Sequence, residues 1–433
     1  MEKFTKIMNT NPVISTIEPD LNLKEKDSTL VLSPITPGER IELIDSLRGF
    51  ALAGVCLANL SAFSLFYYLD DGQKAALPFP VVNSVIYYII YFFVDWKFWT
   101  LFSMMFGFGA SIFISRANDA YKNGKALYAR RLSILLIFGL LHHIFLWNGD
   151  ILVDYALAGF LLLLLTSRKS SALAVWGIIL AAFVSLIIRI LQAKLFPHVQ
   201  ELITGNDKVI MQAYSAGSYA QILSANLADM KIYVILVAFA LVAALGRFMV
   251  GYWTGQTGRL YKVENHIGFF KKTMRICAWI GFPVMALLTV NKILMEHEVL
   301  SPKSDWKLLN YFLLAASLAI GIFYAAKFIL LYQNSKWRKR LSVFKEIGRM
   351  AFTNYLMQTV INIFVFNGIG FGLGGKTGPS IYILWFVVLF TSQILFSRWW
   401  LSRYRFGPVE WLWRSLTYGS WQPMKKKLIA VAG

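Results

Sequence analysis

Long apolar runs separated by short polar segments dominate the chain between residues 44 and 396. A transmembrane helix needs about 20 predominantly apolar residues, so these runs predict an all-α transmembrane bundle of about ten spans. The predicted spans are Ile44–Tyr68, Val82–Ser115, Leu132–Trp147, Ile151–Thr166, Ala172–Leu191, Ile232–Trp253, Ile276–Val290, Leu308–Tyr332, Met350–Phe371 and Ile381–Phe396.

Two segments break the regularity of this pattern. The run Val82–Ser115 is too long for one upright helix and short for two, so it predicts either one long tilted helix or a surface helix followed by a span. Residues Gln192–Asp229 are predicted to form a polar loop.

The pattern also divides the chain into regions. Residues 1–38 are polar, mixed in charge and contain proline, which predicts a flexible cytoplasmic tail. Residues 39–400 form the predicted bundle, with an N-terminal part at about 39–191 and a C-terminal part at about 230–400. The aromatic and basic residues at 401–433 predict an interfacial cytoplasmic segment.

Composition and charge support a membrane protein. Hydrophobic residues make up 57% of the chain and charged residues only 15%, whereas soluble domains average about 25% charged residues. The net charge of +20 comes from Lys and Arg that cluster in alternate loops. This positive-inside pattern places both termini in the cytoplasm and the 148–150 turn on the opposite side. It therefore argues against a nucleic-acid partner.

The main candidate for chemistry is the turn between the predicted third and fourth apolar runs. Asn148-Gly149 is a turn dipeptide that would bring His142 back beside Asp150. Asp150 could then orient the imidazole and leave its other nitrogen free as a base, and His143 is a second candidate for that role. Alternatively, the histidines are interfacial residues and Asp150 is only a helix N-cap. Asp154 shares a helix face with Asp150.

Other polar residues have structural alternatives. Asp45 and Arg48 either contact a phosphate or only neutralise each other. Asn59, in the middle of the first span, is either functional or a polar contact between helices. Gly107-Phe108-Gly109 lacks the rest of a nucleotide-binding fingerprint, so it predicts close helix packing. Cys and His spacings give no zinc pattern, and we expect no metal.

Several of these stretches together resemble the YeiB-like family of bacterial membrane proteins, which is of unknown function. The resemblance extends over about residues 39–422. It rests on Asp45–Gly49, Asn59, Leu101–Ser103, Phe106-Gly107, His142, Trp147–Leu152, Tyr155, Gly159, Gly348–Tyr355, Gly407–Trp411 and Leu416–Gly419. The family is in turn distantly similar to heparan-alpha-glucosaminide N-acetyltransferase and other transmembrane acyltransferases. That likeness makes the part at 39–191 acyltransferase-like.

The resemblance implies transfer of an acyl group, most simply acetyl, from cytoplasmic acyl-CoA to a hydroxyl or amine acceptor. Asn59 matches an Asn of the heparan enzyme, but the His that follows it there has no counterpart in residues 61–70. His142 is then the predicted base, with Asp150 and Asn59 completing the catalytic group. The predicted substrate and CoA contacts are Arg48, Asp45, Tyr155, Arg349, Asn354 and Trp411.

The resemblance also implies a location and partners. We expect a multi-pass protein of the bacterial inner membrane whose partners are the lipid bilayer, acyl-CoA and an unidentified sugar, amine or lipid-linked acceptor. A homodimer is left open. The alternative function is a small-molecule transporter or exporter, because polar groups lie at both membrane faces. An accessory protein without turnover is a third class.

Overall fold

The structure is a computed structural model that describes residues 42–120, 123–167, 170–195, 198–297, 299 and 312–426. The predicted cytoplasmic tail at residues 1–38 lies outside the described residues.

Helices account for nearly all of the regular structure in the described ranges. They are α1 Glu42–Phe63, α2 Asp71–Ala75, α3 Pro80–Phe93, α4 Lys97–Ala120, α5 Gly124–Phe145, α6 Leu152–Leu165, α7 Ser170–Ile179, α8 Ser185–Leu195, α9 Val199–Ala216, α10 Tyr219–Gln256, α11 Ile267–Glu296, α12 Leu313–Tyr332, α13 Ser335–Leu341, α14 Lys345–Arg349, α15 Ala351–Phe366, α16 Pro379–Arg403 and α17 Pro408–Tyr418.

The predicted all-α membrane bundle is confirmed. In the described part of the chain, eight helical segments are long and apolar enough to cross a membrane. Two shorter apolar helices, α6 and α15, coincide with the predicted spans Ile151–Thr166 and Met350–Phe371. The largest core cluster joins residues of α1, α4, α5, α6, α10, α12 and α15, so the first half and the last third of the chain share one interior.

The run Val82–Ser115 is divided between α3 and α4. The helix breaks at Val94–Trp96, where Trp96 has a left-handed φ of 66° that no regular helix allows. Lys97 begins α4 fully buried, and its ammonium group donates to the carbonyl of Tyr91 at the end of α3. The buried ammonium group thus satisfies a carbonyl that the end of α3 leaves free, and this contact stabilises the break.

The prediction of a polar loop at residues 192–229 is wrong. Most of this segment is helical, because it contains the end of α8, then α9, and then the first turns of α10. Ser218 and Gln221 form a capping box that starts α10 at Tyr219, well before the predicted beginning of the span at Ile232. The hydropathy pattern located only the apolar part of this 38-residue helix.

Glycine sets how closely α4 and α10 pack. A Cβ atom on Gly107 would lie 2.1 Å from the carbonyl oxygen of Phe248, and one on Gly251 would lie 2.0 Å from that of Met104. Both distances are far below any real contact. Gly109, only two residues from Gly107, has no atom within 4 Å of the corresponding position. The predicted packing role therefore applies to Gly107 and not to Gly109.

We expect Gly107→Ala to destabilise the protein by about 1–3 kcal/mol, because the added methyl group forces the α10 backbone to move. Gly109→Ala is the matched control and should be neutral or slightly stabilising, since it adds a better helix former in open space. Denaturation of both variants in the same detergent measures the difference. Equal stability of the two variants would contradict this account of the α4–α10 contact.

Candidate functional site

The hairpin of α5 and α6 brings the two halves of the predicted base together. A Cβ on Gly139 of α5 would lie 2.7 Å from the backbone nitrogen of Val153 in α6, so glycine permits the close approach of the two helices. The turn at Asn148-Gly149 reverses the chain between them, as the dipeptide predicts. His142, near the end of α5, and Asp150, just before α6, therefore face each other.

His142 and Asp150 form a buried pair. Nδ1 of His142 lies 2.9 Å from Oδ1 of Asp150, and the two residues are only 2% and 6% exposed. The atoms are at ion-pair distance, although the ring nitrogen does not reach the angle of a linear hydrogen bond. Because a carboxylate only accepts, the proton of a neutral His142 ring belongs on Nδ1. Nε2 is then unprotonated.

Asp150 is also the helix cap that the alternative interpretation predicts. Its Oδ2 accepts hydrogen bonds from the backbone N–H groups of Leu152 and Val153, at 2.9 and 3.2 Å. Asp150 can therefore be both the partner of His142 and a helix cap, because Oδ1 faces the imidazole and Oδ2 accepts from the backbone of α6. The first turn of α6 fixes the orientation of the Asp150 carboxylate.

The opposite side of the His142 ring faces α15. Nε2 lies 3.0 Å from the hydroxyl oxygen of Thr359, which is 1% exposed. One turn earlier, the hydroxyl of Tyr355 lies 3.5 Å from Oδ1 of Asp150, and its ring packs 5.6 Å from the imidazole. Carboxylate, imidazole and hydroxyl thus stand in the order that activates a hydroxyl group in nucleophilic enzymes.

His143 belongs to a separate polar cluster. Its Nε2 lies 3.4 Å from Oδ2 of Asp229 in α10, and the other oxygen of Asp229 accepts from Asn206 in α9. Burial and the neighbouring Asp229 carboxylate raise the pKa of Asp207 in α9 to about 6. Of the two candidate histidines, only His142 contacts a hydroxyl group through its free nitrogen in the described structure.

Asp154 lies in the first turn of α6, four residues after Asp150. It is buried, and it accepts a short hydrogen bond from the hydroxyl of Tyr233 in α10. Asn226, also in α10, donates to the backbone carbonyl of Ile144 at the end of α5. The segment predicted as a loop therefore covers the end of the α5–α6 hairpin with polar groups.

A second polar region lies at the other end of α1 and α5. Arg48 and Asp45 form a half-buried ion pair at 3.0 Å. Arg131 of α5 stacks between the rings of Trp413 and Phe113, at 3.6 and 5.0 Å. Among the described residues, no carboxylate lies within 4.0 Å of Arg131. Its half-buried guanidinium is therefore available to bind an anion.

Glu410 ties α17 to α15 in the same region. Its carboxylate accepts from the backbone N–H groups of Phe352 and Thr353 at 2.7 and 3.0 Å, and from the Thr353 hydroxyl. These contacts satisfy the N-terminal end of α15. Burial raises the pKa of Glu410, and the hydrogen bonds from Thr353 oppose that rise. Arg414, on the next turn of α17, stacks over Phe406 at 4.8 Å.

The other predicted site residues are dispersed. Asn59 is half-buried in α1, and no hydrogen bond joins its side chain to the described residues. The Tyr155 hydroxyl shares a 2.6 Å hydrogen bond with Ser103 and faces α4. Asn354 is fully buried and donates to Ser397 at 2.9 Å, which links α15 to α16. In the described structure, none of these three side chains is hydrogen-bonded to the His142–Asp150 pair.

Arg349 and Trp411 lie toward the Arg48 end. Arg349 ends α14, and its Nε is buried without a hydrogen-bond partner in the described structure. Trp411 donates to the carbonyl of Gln422 at 2.7 Å and stacks on Trp421.

Sequence reasoning missed the contribution of α15 and α10 to the site. Tyr355, Thr359 and Asn362 follow one another at helical spacings of four and three residues, on one face of α15. That polar stripe inside an apolar run is a signal that the sequence contains. Asp229 and Tyr233 gave no such signal, because the hydropathy pattern places them at the boundary between a predicted loop and a predicted span.

The chain is similar to bacterial proteins of unknown function. Residues 254–420 match the family model "Protein of unknown function (DUF418)". The chain is 32% identical to the uncharacterized protein YxaH of Bacillus subtilis over 420 residues, covering 92% of this chain and 98% of the relative. It is 27% identical to the uncharacterized protein YeiB of Escherichia coli, over 88% of this chain and 96% of the relative. No solved structure matches significantly.

We expect Asp150→Ala to destabilise the protein by about 2–4 kcal/mol, because it leaves the His142 ring and two backbone N–H groups without their acceptor. Asp71→Ala is the control, since the Asp71 side chain is 83% exposed and its ion pair with Lys74 should contribute less than about 1 kcal/mol. Denaturation curves in detergent compare the two. If Asp150→Ala lowered the free energy of unfolding no more than Asp71→Ala does, the structural importance of the Asp150 carboxylate would be contradicted.

Proposed function

We propose an enzymatic function for this chain, which belongs to the YeiB-like DUF418 family of multi-pass membrane proteins: it is an acyltransferase that takes an acyl group from acyl-CoA. The acceptor is a hydroxyl or amine, and His142 is the general base that removes its proton. The family itself has no known function, so this proposal rests on the chemistry of the site.

The single observation that carries the proposal is the environment of His142. Its ring is held between Asp150 on one side and the hydroxyl of Thr359 on the other, in the interior of the bundle. A histidine that only packed would not need a buried carboxylate on one nitrogen and a hydroxyl on the other. A neutral imidazole with Nε2 free is the form that general-base catalysis requires.

The donor would enter from the end of the bundle where the arginines lie. CoA carries several phosphate groups, and guanidinium groups bind phosphate well. Arg131 and His142 lie on the same face of α5, because eleven residues make just over three full helical turns. They are therefore roughly 16 Å apart along the helix axis. An extended thioester arm bound by its phosphates at Arg131 would point its acyl end toward His142.

Acyl transfer fits these groups better than transport does. A transporter needs a site that opens alternately to the two sides. The second cluster, with His143, Asp229, Asp154 and Tyr233, is the observation that favours transport, because chains of buried acids and histidines carry protons in transporters. However, Nε2 of His142 faces Thr359 and not this cluster, and acyl transfer needs no separate proton carrier, because the CoA thiolate takes the proton that His142 accepts. A bacterial inner-membrane location follows from this proposal, with the donor in the cytoplasm.

We expect His142→Gln to abolish acyl transfer while leaving acyl-CoA binding nearly intact, because only the base is removed. Removing a general base costs roughly 100- to 10,000-fold in rate. His143→Gln is the matched control and should retain most of the activity. The assay is release of free CoA from a panel of acyl-CoAs with candidate acceptors, using protein in nanodiscs. Full activity of the His142 variant would reject it as the base.

We expect Arg131→Gln to weaken acyl-CoA binding, because a half-buried guanidinium that has no carboxylate partner among the described residues is replaced by a neutral group. Arg403→Gln is the control, since Arg403 is exposed and also stacks on a tryptophan, Trp399. Stabilisation of the protein by ligand follows the ratio of ligand concentration to Kd, so thermal shifts with acetyl-CoA compare the variants. Flat melting curves for the wild-type protein across the panel would reject acyl-CoA as the donor.

A further inference from the structure

We propose that Thr359 is a covalent nucleophile, which receives the acyl group as an ester before the acceptor takes it. This inference rests on the proposed acyl transfer and deepens it, because it divides the reaction into two half-reactions at a single side chain. Neither the sequence motifs nor the known relatives assign a role to this residue.

The first support is the geometry of the hydroxyl. Oγ1 of Thr359 lies 3.0 Å from Nε2 of His142 and 3.5 Å from the backbone carbonyl of Tyr355. The contact with the imidazole is shorter, so the hydroxyl donates to His142. With Asp150 on the other ring nitrogen, the three side chains reproduce the arrangement that activates serine and threonine nucleophiles.

The second support is a buried amide with an unused donor. Asn362 lies three residues after Thr359, on the same face of α15, and it is fully buried. Its Oδ1 accepts a 2.8 Å hydrogen bond from the indole N–H of Trp385 in α16. Since an indole N–H only donates, this contact settles which amide atom is the oxygen.

The Nδ2 group of Asn362 has no hydrogen-bond partner in the described structure. A buried N–H without an acceptor costs free energy, typically about 1–3 kcal/mol. A negatively charged oxygen near Thr359 would supply the acceptor. Asn362 is therefore placed to stabilise the oxyanion of a tetrahedral intermediate on Thr359.

The position of Thr359 along α15 explains why a covalent step is useful. It lies near the middle of this 16-residue helix, roughly 12 Å from either end. An acyl group held there as an ester is separated from the donor by half of the helix. The donor can then leave on the side of Arg131 before an acceptor approaches from the side of the 148–150 turn.

The chemistry of the two half-reactions is balanced. The oxygen of Thr359 attacks the thioester carbonyl while its proton moves to Nε2 of His142; the C–S bond breaks, and the CoA thiolate takes that proton and leaves as the thiol. In the second half-reaction the acceptor hydroxyl or amine attacks the Thr359 ester and gives its proton to His142. The C–O bond breaks, and the Thr359 oxygen recovers the proton.

The experiment is acid quenching of the purified protein with acetyl-CoA in the absence of acceptor, followed by intact-mass and peptide mass spectrometry. We expect the wild-type protein to gain one acetyl group on the peptide that contains Thr359. Thr359→Ser keeps the hydroxyl and should still form the adduct, whereas Thr359→Val should not. Thr359→Val should also lose turnover by a factor on the order of 10⁶, as removal of a serine nucleophile does in a serine protease.

Control variants separate this inference from the proposed function. Thr289→Val makes the same change in α11, where the hydroxyl only bonds back to Met285, and it should form the adduct normally. Asn362→Leu should slow adduct formation without preventing binding of acetyl-CoA.

Acyl transfer that persists in Thr359→Val, or an adduct on another residue, would overturn the covalent role and leave the acyltransferase function standing. No binding and no turnover with any acyl-CoA of the panel would overturn both. A normal rate of adduct formation in Asn362→Leu would contradict its role at the oxyanion.

Discussion

The candidate site depends on one carboxylate. Asp150 contacts the His142 ring with one oxygen and the first turn of α6 with the other, and Tyr355 of α15 approaches it from a third direction. A charge is expensive to bury unless it is fully partnered, so this residue has a fixed position and a fixed orientation. That constraint joins the end of α5, the start of α6 and the middle of α15.

The two ends of the bundle carry different functional groups, because α5 and α15 each place different polar residues at their beginnings and further along. α5 carries Arg131 near its beginning and His142 near its end, so a single rigid helix sets the distance between a cationic entrance and a buried base. α15 runs alongside, held at its beginning by Glu410 and presenting Thr359 to His142 further along. The C-terminal segment is thus part of the site region and not only an appendage at the membrane surface.

Much of this arrangement was predictable from the sequence, and the rest was not for physical reasons. Hydrophobic runs identify spans because burial in lipid demands apolar helices, and the Asn148-Gly149 turn identifies which two helices lie together. The partners of His142 on α15 are more than 200 residues away in the chain, and no local pattern encodes that proximity. The start of α10 was missed because its first turns contain several polar residues, among them the buried Asn226 and the exposed Gln221 and Lys231, so this stretch resembles a loop in hydropathy alone.

The central claim is that Asp150 holds the proton of the neutral His142 ring on Nδ1 and leaves Nε2 free to accept a hydrogen bond. Nitrogen-15 NMR of histidine-labelled protein measures this directly, with His142→Gln used to assign the signals. The account predicts that Nδ1 carries the proton and that Nε2 has the shift of an unprotonated nitrogen which accepts a hydrogen bond. A His142 ring with its proton on Nε2, or one that exchanges freely between the two tautomers, would contradict it.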